Sequence, residues 1–508
     1  MKAAWVVGLA TLLSRVFGFI RDVVVAGFFG AGLATDAFFV AFRIPNLLRR
    51  LFAEGSLTIA FVPVFTEYLK KKSKEDAFEL ASASFTLLSI ILALVSVVGI
   101  FLSPWIVMIM APGFSDAPDK YALTVFLTRL MFPYIFFISL VALCMGILNS
   151  LRHFAAPALA PVVLNIFMIT AVFALKDLFA EPILSLAVGV MIGGILQLVM
   201  QFPFLCKVGV RLRPNFRFSH PGIRRIGLLM LPAVFGAAVY QASIFIGTIL
   251  ASLLPGGSVS YLYYADRVVQ LPLGVFAIAV GTAALPSFSE QVAGEDYERL
   301  KKTISFSLRL IMFVTIPAMV ALIILRVPII SVLFQRGQFD IASTIPTAQA
   351  LLYYAVGLWA FSCIRVVVSA FYALQDTRTP VKIAIVALLV NVIMGIALMF
   401  PMKHSGLALA TSVASAVNII VLAVILERRV GRFLRKDFWV SVSRTTLATA
   451  VMAAAVEIVG RMLAWNNAGA FSERLTFLVV TIAVGFAVFV LSSFMLGGSE
   501  MRALLRRG

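Results

Sequence analysis

The chain has 508 residues, of which 62% are hydrophobic and 13% charged; 42 Lys and Arg stand against 23 Asp and Glu, for a net charge of +19. Soluble domains are about 45–50% apolar and about 25% charged, so a soluble globular protein is excluded. The positive excess does not call for nucleic acid, because the cytoplasmic loops of membrane proteins collect Lys and Arg.

The apolar residues come in long runs, and runs of about 20 residues match the ~30 Å hydrocarbon core of a bilayer. On that criterion the sequence predicts an all-α polytopic membrane protein with about fourteen helices. Their cores fall near 4–29, 36–65, 80–110, 121–148, 157–175, 183–206, 226–253, 260–288, 304–333, 348–373, 381–400, 406–426, 440–463 and 473–496. The first follows Met1-Lys2 and resembles a signal peptide, but Arg15, Arg21 and Asp22 come next without a small-residue cleavage site, so it is read as a retained span. Pro45 and Pro272 are expected to bend or break the second and eighth helices, since proline removes a backbone donor.

The loops alternate in charge. "KKKSKED" (70–76), "LRHF" (151–154), 207–225, "ERLKK" (298–302), "QDTRTPVK" (375–382), 427–437 and the C-terminal "MRALLRRG" are basic. "GAGLAT" (30–35), "APGFSDAPD" (111–119), "LPGGSVS" (254–260) and "WNNAGAFSER" (465–474) carry little Lys or Arg. Basic loops stay inside, so both termini are expected in the cytoplasm and the number of spans is even. Cys144, Cys206 and Cys363 lie in or beside apolar runs without CxxC spacing, and are read as inert thiols. His153, His220 and His404 are far apart, so no metal site is expected. The chain has no GxxxxGK[ST] phosphate loop, which argues against a built-in ATPase.

Residues 42–67 and 266–290 resemble each other. Arg43 aligns with Arg267 (267 − 43 = 224) and Phe52 with Phe276; after a one-residue gap, Pro63, Phe65 and Glu67 align with Pro286, Phe288 and Glu290. Further on, Pro104 parallels Pro328, and Leu151 and Pro157 parallel Leu374 and Pro380. The near-constant offset implies two parallel repeats of six helices, a plan shared by many secondary transporters. The expected organisation is an N-terminal lobe (1–210), a C-terminal lobe (220–430) and a helix pair (437–500) outside the repeat.

Charges stand within the apolar runs: Arg15, Arg21, Asp22, Asp36, Arg43, Arg49, Arg50 and Glu54 in the first two, Asp266 and Arg267 in the eighth. A charge at a helix centre costs roughly 2.5–3.5 kcal/mol on insertion scales, so these residues need a partner or a wet cavity. Arg15 and Asp22, seven apart, share a helix face. Six of the ten are basic, leaving a positive excess suited to an anionic ligand; the arginine fork matches phosphate. The structural alternative is snorkelling or fixed salt bridges, and it is the better reading for Arg129, Arg309, Arg326 and Arg365.

"SRVFGFIRD" (14–22), "GAGLATDAFFVAFRIPNLLRRLFAEGS" (30–56), "FVPVFTEY" (61–68), "APGF" (111–114), "YYADRVVQLPLGVFAIAVGTAALP" (263–286) and "DTRTPVKIA" (376–384) resemble the bacterial lipid II flippases of the MurJ (MviN) type, in the MOP exporter superfamily. The resemblance implies fourteen helices in two six-helix lobes, with a last pair lining a lipid groove. It implies a flippase that moves undecaprenyl-diphosphate-linked peptidoglycan precursor to the outer leaflet for cell-wall synthesis. The family's important charges match Arg15, Arg21, Asp36, Arg49, Glu54 and Arg267, with Asp22, Arg43, Arg50 and Asp266 beside them. No cofactor is expected; the membrane potential or an ion gradient would supply the energy. Membrane lipids and the cell-wall synthesis machinery are the expected partners. Some members of the family hold sodium on acidic residues of helices 7, 11 and 12, where this chain offers Gln241 and Asn391.

Two other readings stay open. A cation-coupled multidrug or polysaccharide-lipid exporter would share the fold, but a site for cationic drugs should be acidic. A prenyl-phosphate glycosyltransferase would need catalytic carboxylates at a membrane face, and the clustered "GED" (294–296) lies in a cytoplasmic linker.

Overall fold

A computed structural model of the chain describes residues 2–50, 57–497 and 500; the side chains at 2–6, 58, 231–240, 275–276 and 278 lie outside the description. Among the described residues the regular structure is helical, and one isolated bridge pairs Arg336 with Phe339. The chain divides into two compact units, Met1–Val259 and Ser260–Gly508.

The first unit holds α1 (Lys2–Phe29), α2 (Leu33–Leu48), α3 (Thr58–Lys71), α4 (Lys74–Met110), α5 (Pro118–Met131), α6 (Tyr134–Ser150), α7 (Ala155–Leu175), α8 (Leu184–Lys207) and α9 (Pro221–Ser252). Helix α10 (Ser258–Pro272) begins at its end. The second unit continues with α11 (Ile278–Ala293), α12 (Tyr297–Ile324), α13 (Arg326–Phe334), α14 (Ile341–Val356), α15 (Leu358–Ala373), α16 (Arg378–Met402), α17 (His404–Val430), α18 (Lys436–Met462) and α19 (Phe471–Met495). Each of the fourteen apolar stretches coincides with one of these helices or with a consecutive pair. Among the described residues, nine helical segments, with α5 and α6 taken as one, are long and apolar enough to cross a membrane, or up to 10 if the bent pair α14 and α15 counts as one span.

The repeat is visible in where helices begin and end. Helices α4 and α12 start at Lys74 and Tyr297 (297 − 74 = 223), and α7 and α16 at Ala155 and Arg378 (378 − 155 = 223). The turn before α7 places Arg152 at φ 61°, and the turn before α16 places Gln375 at φ 57° (375 − 152 = 223). A non-glycine residue in the left-handed region is uncommon, so its recurrence at that offset marks the same turn built twice. Helix α9, which opens the second copy, packs on α3 and α4 of the first unit.

The expected helix breaks fall differently at the two prolines. Helix α10 ends at Pro272, and a π-helical turn follows over Leu273–Ala277. Helix α2 runs through Pro45 to Leu48, and the backbone turns π-helical only at Arg49 and Arg50. The interruption thus comes four residues later than expected, because the lost donor at Pro45 affects one hydrogen bond and the helix can carry on beyond it.

Packing follows membrane rules. Helices α4 and α16 leave large apolar side chains uncovered, Phe101 at 72% and Phe400 at 78% exposure among them, which is stable only against lipid. Helices α7 and α8 approach closely at Gly189, where an added Cβ would stand 2.8 Å from Ala171 Cβ and 2.9 Å from Met168 Cα. Small residues let membrane helices meet backbone to backbone, gaining dispersion contacts that lipid cannot supply. In the second unit Phe288, Leu308, Phe371 and Leu422 build a core shared by α11, α12, α15 and α17.

Candidate functional site

The charges of α1 are held in place by their neighbours. Arg21 donates to Asp22 Oδ1 from Nε at 3.1 Å and Nη2 at 2.7 Å, and from Nη1 to Asn165 Oδ1 of α7 at 3.0 Å. Asn165 Nδ2 in turn reaches the Ser14 carbonyl at 3.4 Å. The side chains of Arg21 and Asp22 are 12% and 4% exposed, so this is a largely desolvated pair. Arg15 is exposed, and the carboxylate expected to serve it, Asp22, takes the adjacent Arg21.

Helix α2 carries a second cluster. Asp36 is buried, and its Oδ2 accepts from Lys120 Nζ of α5 and from Gly257 N, each at 2.8 Å. Lys120 also lies over the Phe114 ring, 3.9 Å from its centroid. Asp36, Lys120 and Gly257 adjoin the three loops of this unit that carry little Lys or Arg, so the cluster clasps one end of it. Two turns on, Arg43 Nη1 donates to Thr248 Oγ1 of α9 at 2.5 Å. Arg49, half-buried, and Arg50, exposed, follow on the π-helical turn. Glu54 lies outside the described residues.

At the basic-loop end of the same unit, Arg225 donates to Glu67 at 2.8 Å. That hydrogen bond, with Lys71 beside it, holds the Glu67 carboxyl below the usual carboxylate range.

In the second unit, Arg267 Nη2 donates to Tyr263 Oη at 2.9 Å, and the guanidinium carbon stands 4.7 Å from that ring's centroid. Asp266 accepts from Gln270 one turn on. The negative face of the tyrosine ring adds a further favourable contact for the cation. Asn391, in the helix where relatives are expected to use acids, donates to Thr411 Oγ1 at 3.1 Å.

Four partners escaped sequence reading: Lys120, Asn165, Thr248 and Tyr263. A lone Asn in the apolar run of α7 is a signal that was available, because a polar amide in lipid needs a partner. Lys120 stands beside a loop and reads there as an interfacial lysine; only the packing of α5 on α2 shows it buried.

Long apolar helices in two sequence-related units, with arginines and carboxylates inside them, define a multi-pass membrane transporter. Solved structures have the same fold. A lipid II flippase MurJ in an inward closed conformation superposes with a TM-score of 0.82 at 27% identity, over 98% of this chain and 99% of that one. An inward-facing MATE family transporter of the MOP superfamily superposes at 0.68 with 14% identity, over 85% of this chain and 99% of the other, a likeness of fold alone. The family profile described as lipid II flippase MurJ matches residues 25–494. A probable lipid II flippase MurJ of Vibrio cholerae is 36% identical over 509 residues, 98% of this chain and 96% of its own. The lipid II flippase MurJ of Burkholderia cenocepacia is 39% identical over 423 residues, 82% of each. The chain belongs to the lipid II flippase MurJ family, a family of transporters rather than a class of catalysts.

Proposed function

We propose that the protein moves lipid II, the undecaprenyl-diphosphate-linked peptidoglycan precursor, from the inner to the outer leaflet of the cytoplasmic membrane by alternating access. The observation that carries the reading is the fixed guanidinium of Arg21, braced by Asp22 and Asn165 in an interior otherwise rich in arginine. An arginine already held in one geometry meets a diphosphate at little entropic cost. In this reading the cations for the headgroup are Arg15, Arg21, Arg43, Arg49 and Arg50 from the first unit and Arg267 from the second. Asp22, Asp36, Glu54 and Asp266 limit their charge and orient them.

The prenyl tail stays in lipid along the last helix pair, 437–500, while lobes 1–210 and 220–430 alternate around the headgroup. Both termini are cytoplasmic. The protein makes and breaks no covalent bond and uses no cofactor. Moving one negative charge outward across an inside-negative 100 mV gains ~2.3 kcal/mol, so the membrane potential is a sufficient motor for an anionic headgroup. The cell-wall synthesis machinery takes up the product.

Depletion in cells should leave lipid-linked precursor in the inner leaflet. Arg21→Ala, Arg49→Ala and Arg267→Ala should each abolish complementation while the protein still accumulates in the membrane. Full transport by all three variants rejects the site.

A further inference from the structure

At one end of the second unit two arginines meet with no carboxylate between them. Arg336 lies in the turn after α13, and Arg474 in the first turn of α19. Arg474 Nη1 donates to Ser331 Oγ at 2.9 Å, while its Nε is buried without a hydrogen-bond partner among the described residues. Arg336 Nη2 donates to the Val332 and Leu333 carbonyls at 2.7 and 2.9 Å, satisfying the open end of α13. Its guanidinium carbon stands 5.5 Å from the Phe471 ring centroid. These contacts fix both side chains and neutralise neither.

Among the described residues neither arginine makes a salt bridge. Two acids are near in sequence, and both are engaged elsewhere. Asp340 accepts from Ser343 N at 2.9 Å, capping α14, and Glu473 accepts from Ala470 N at 3.2 Å, capping α19. Partial burial, and then the charge of Arg474, lower the Arg336 pKa from its ordinary value. Two like charges at one place are an unfavourable arrangement that a bound anion relieves.

The base of this pair is rigid. Ser331 is fully buried and donates to Gln335 Oε1 at 2.7 Å, and Gln335 Nε2 donates to the Asn467 carbonyl at 3.1 Å. The network ties α13 to the loop before α19. Phe471, under Arg336, is 48% exposed, and Leu475 and Ile341, next in the chain to Arg474 and Asp340, are 39% and 41% exposed; these three are the apolar shelf of the proposed site.

We propose that Arg336 and Arg474 bind the phosphate of an anionic lipid headgroup, with the acyl chains lying on Phe471, Leu475 and Ile341. Guanidinium forks match phosphate oxygens, and the buried Nε of Arg474 gains the acceptor it lacks. A free phosphate would use the arginines and leave the apolar shelf bare; a lipid covers both. On the loop-charge topology, part of the function proposed above, the lipid belongs to the outer leaflet. The site shares no residue with the proposed transport arginines, but Phe471, Arg474 and Leu475 belong to the helix pair along which the prenyl tail is proposed to lie.

The test uses the purified full chain in detergent, with phosphatidylglycerol, phosphatidylcholine and inorganic phosphate as probes. Native mass spectrometry reads retained lipid and thermal unfolding reads protection. The wild type should retain phosphatidylglycerol over phosphatidylcholine and unfold at a higher temperature with it. R336Q/R474Q should lose on the order of tenfold or more in phosphatidylglycerol affinity, the equivalent of one charged hydrogen bond. Should that variant not elute as a single species, R474Q is compared with R474K, which keeps the charge. Equal retention by the glutamine variant overturns the proposal, as does equal protection by inorganic phosphate with no lipid retained. No lipid II enters the assay, so this result and the transport result fail independently.

Discussion

Arg21 and Asp36 show how a membrane interior holds charge. Each is satisfied from a different helix, Arg21 by Asn165 and Asp36 by Lys120. A buried ion pair adds little net stability, but removing one partner leaves an uncompensated charge and costs about 3–5 kcal/mol. Lys120→Met should therefore lower the thermal midpoint of the detergent-purified protein markedly, by strong destabilisation of the buried Asp36. The double variant Asp36→Leu/Lys120→Met should recover part of the loss. A single variant as stable as the wild type would show that the pair carries no structural load. The sequence showed Asp36 as a charge needing company. It did not show Lys120 as that company, because the two are 84 residues apart and meet only through the packing of α2 on α5.

Helices here are joined by close approaches as much as by apolar contact. The turn between α16 and α17 puts Gly406 against the Leu398 backbone, and an added Cβ would overlap the Leu398 carbonyl. Gly406→Ala should thus separate the hairpin and destabilise the protein by the 1–3 kcal/mol typical, roughly, of overpacking. Unfolding temperature and yield of folded protein check it; an unchanged midpoint would mean the hairpin shifts freely. The last two helices are fastened at one end by Glu500, which accepts from Ser441 of α18 at 2.8 Å and stands 3.5 Å from Arg309 of α12. At the other end Arg474 and Asn467 tie them to α13. The sequence suggests this pair as an appendage outside the repeat, and Arg309 as a structural charge, the latter supported by its Glu500 contact. The position of the π-helical turn after Leu48 was not legible, because proline marks where a hydrogen bond is lost and not where the backbone gives way.

At the scale of the molecule, the topology proposed from the alternation of loop charge is one that labelling can check. Cys206 is exposed at the end of α8, beside basic residues 207–225. A membrane-impermeant maleimide should label it in inverted vesicles and not in intact spheroplasts, and Asp116→Cys combined with Cys206→Ser should label the other way round. Labelling of Cys206 from outside would reverse the proposed orientation.

The sequence alone determined that the chain is a helical membrane protein, where its apolar stretches lie, that it carries a repeat, and which motifs it shares with the lipid II flippases. Those properties depend on local composition and on spacing along the chain, and a bilayer leaves few structures that satisfy every backbone group. The tertiary structure decided which charge meets which. Asn165, Lys120, Thr248 and Tyr263 became partners, and Arg336 and Arg474 became a pair, through helices that fold together from distant parts of the chain. Long-range pairing depends on three-dimensional packing, and no period in the sequence encodes it.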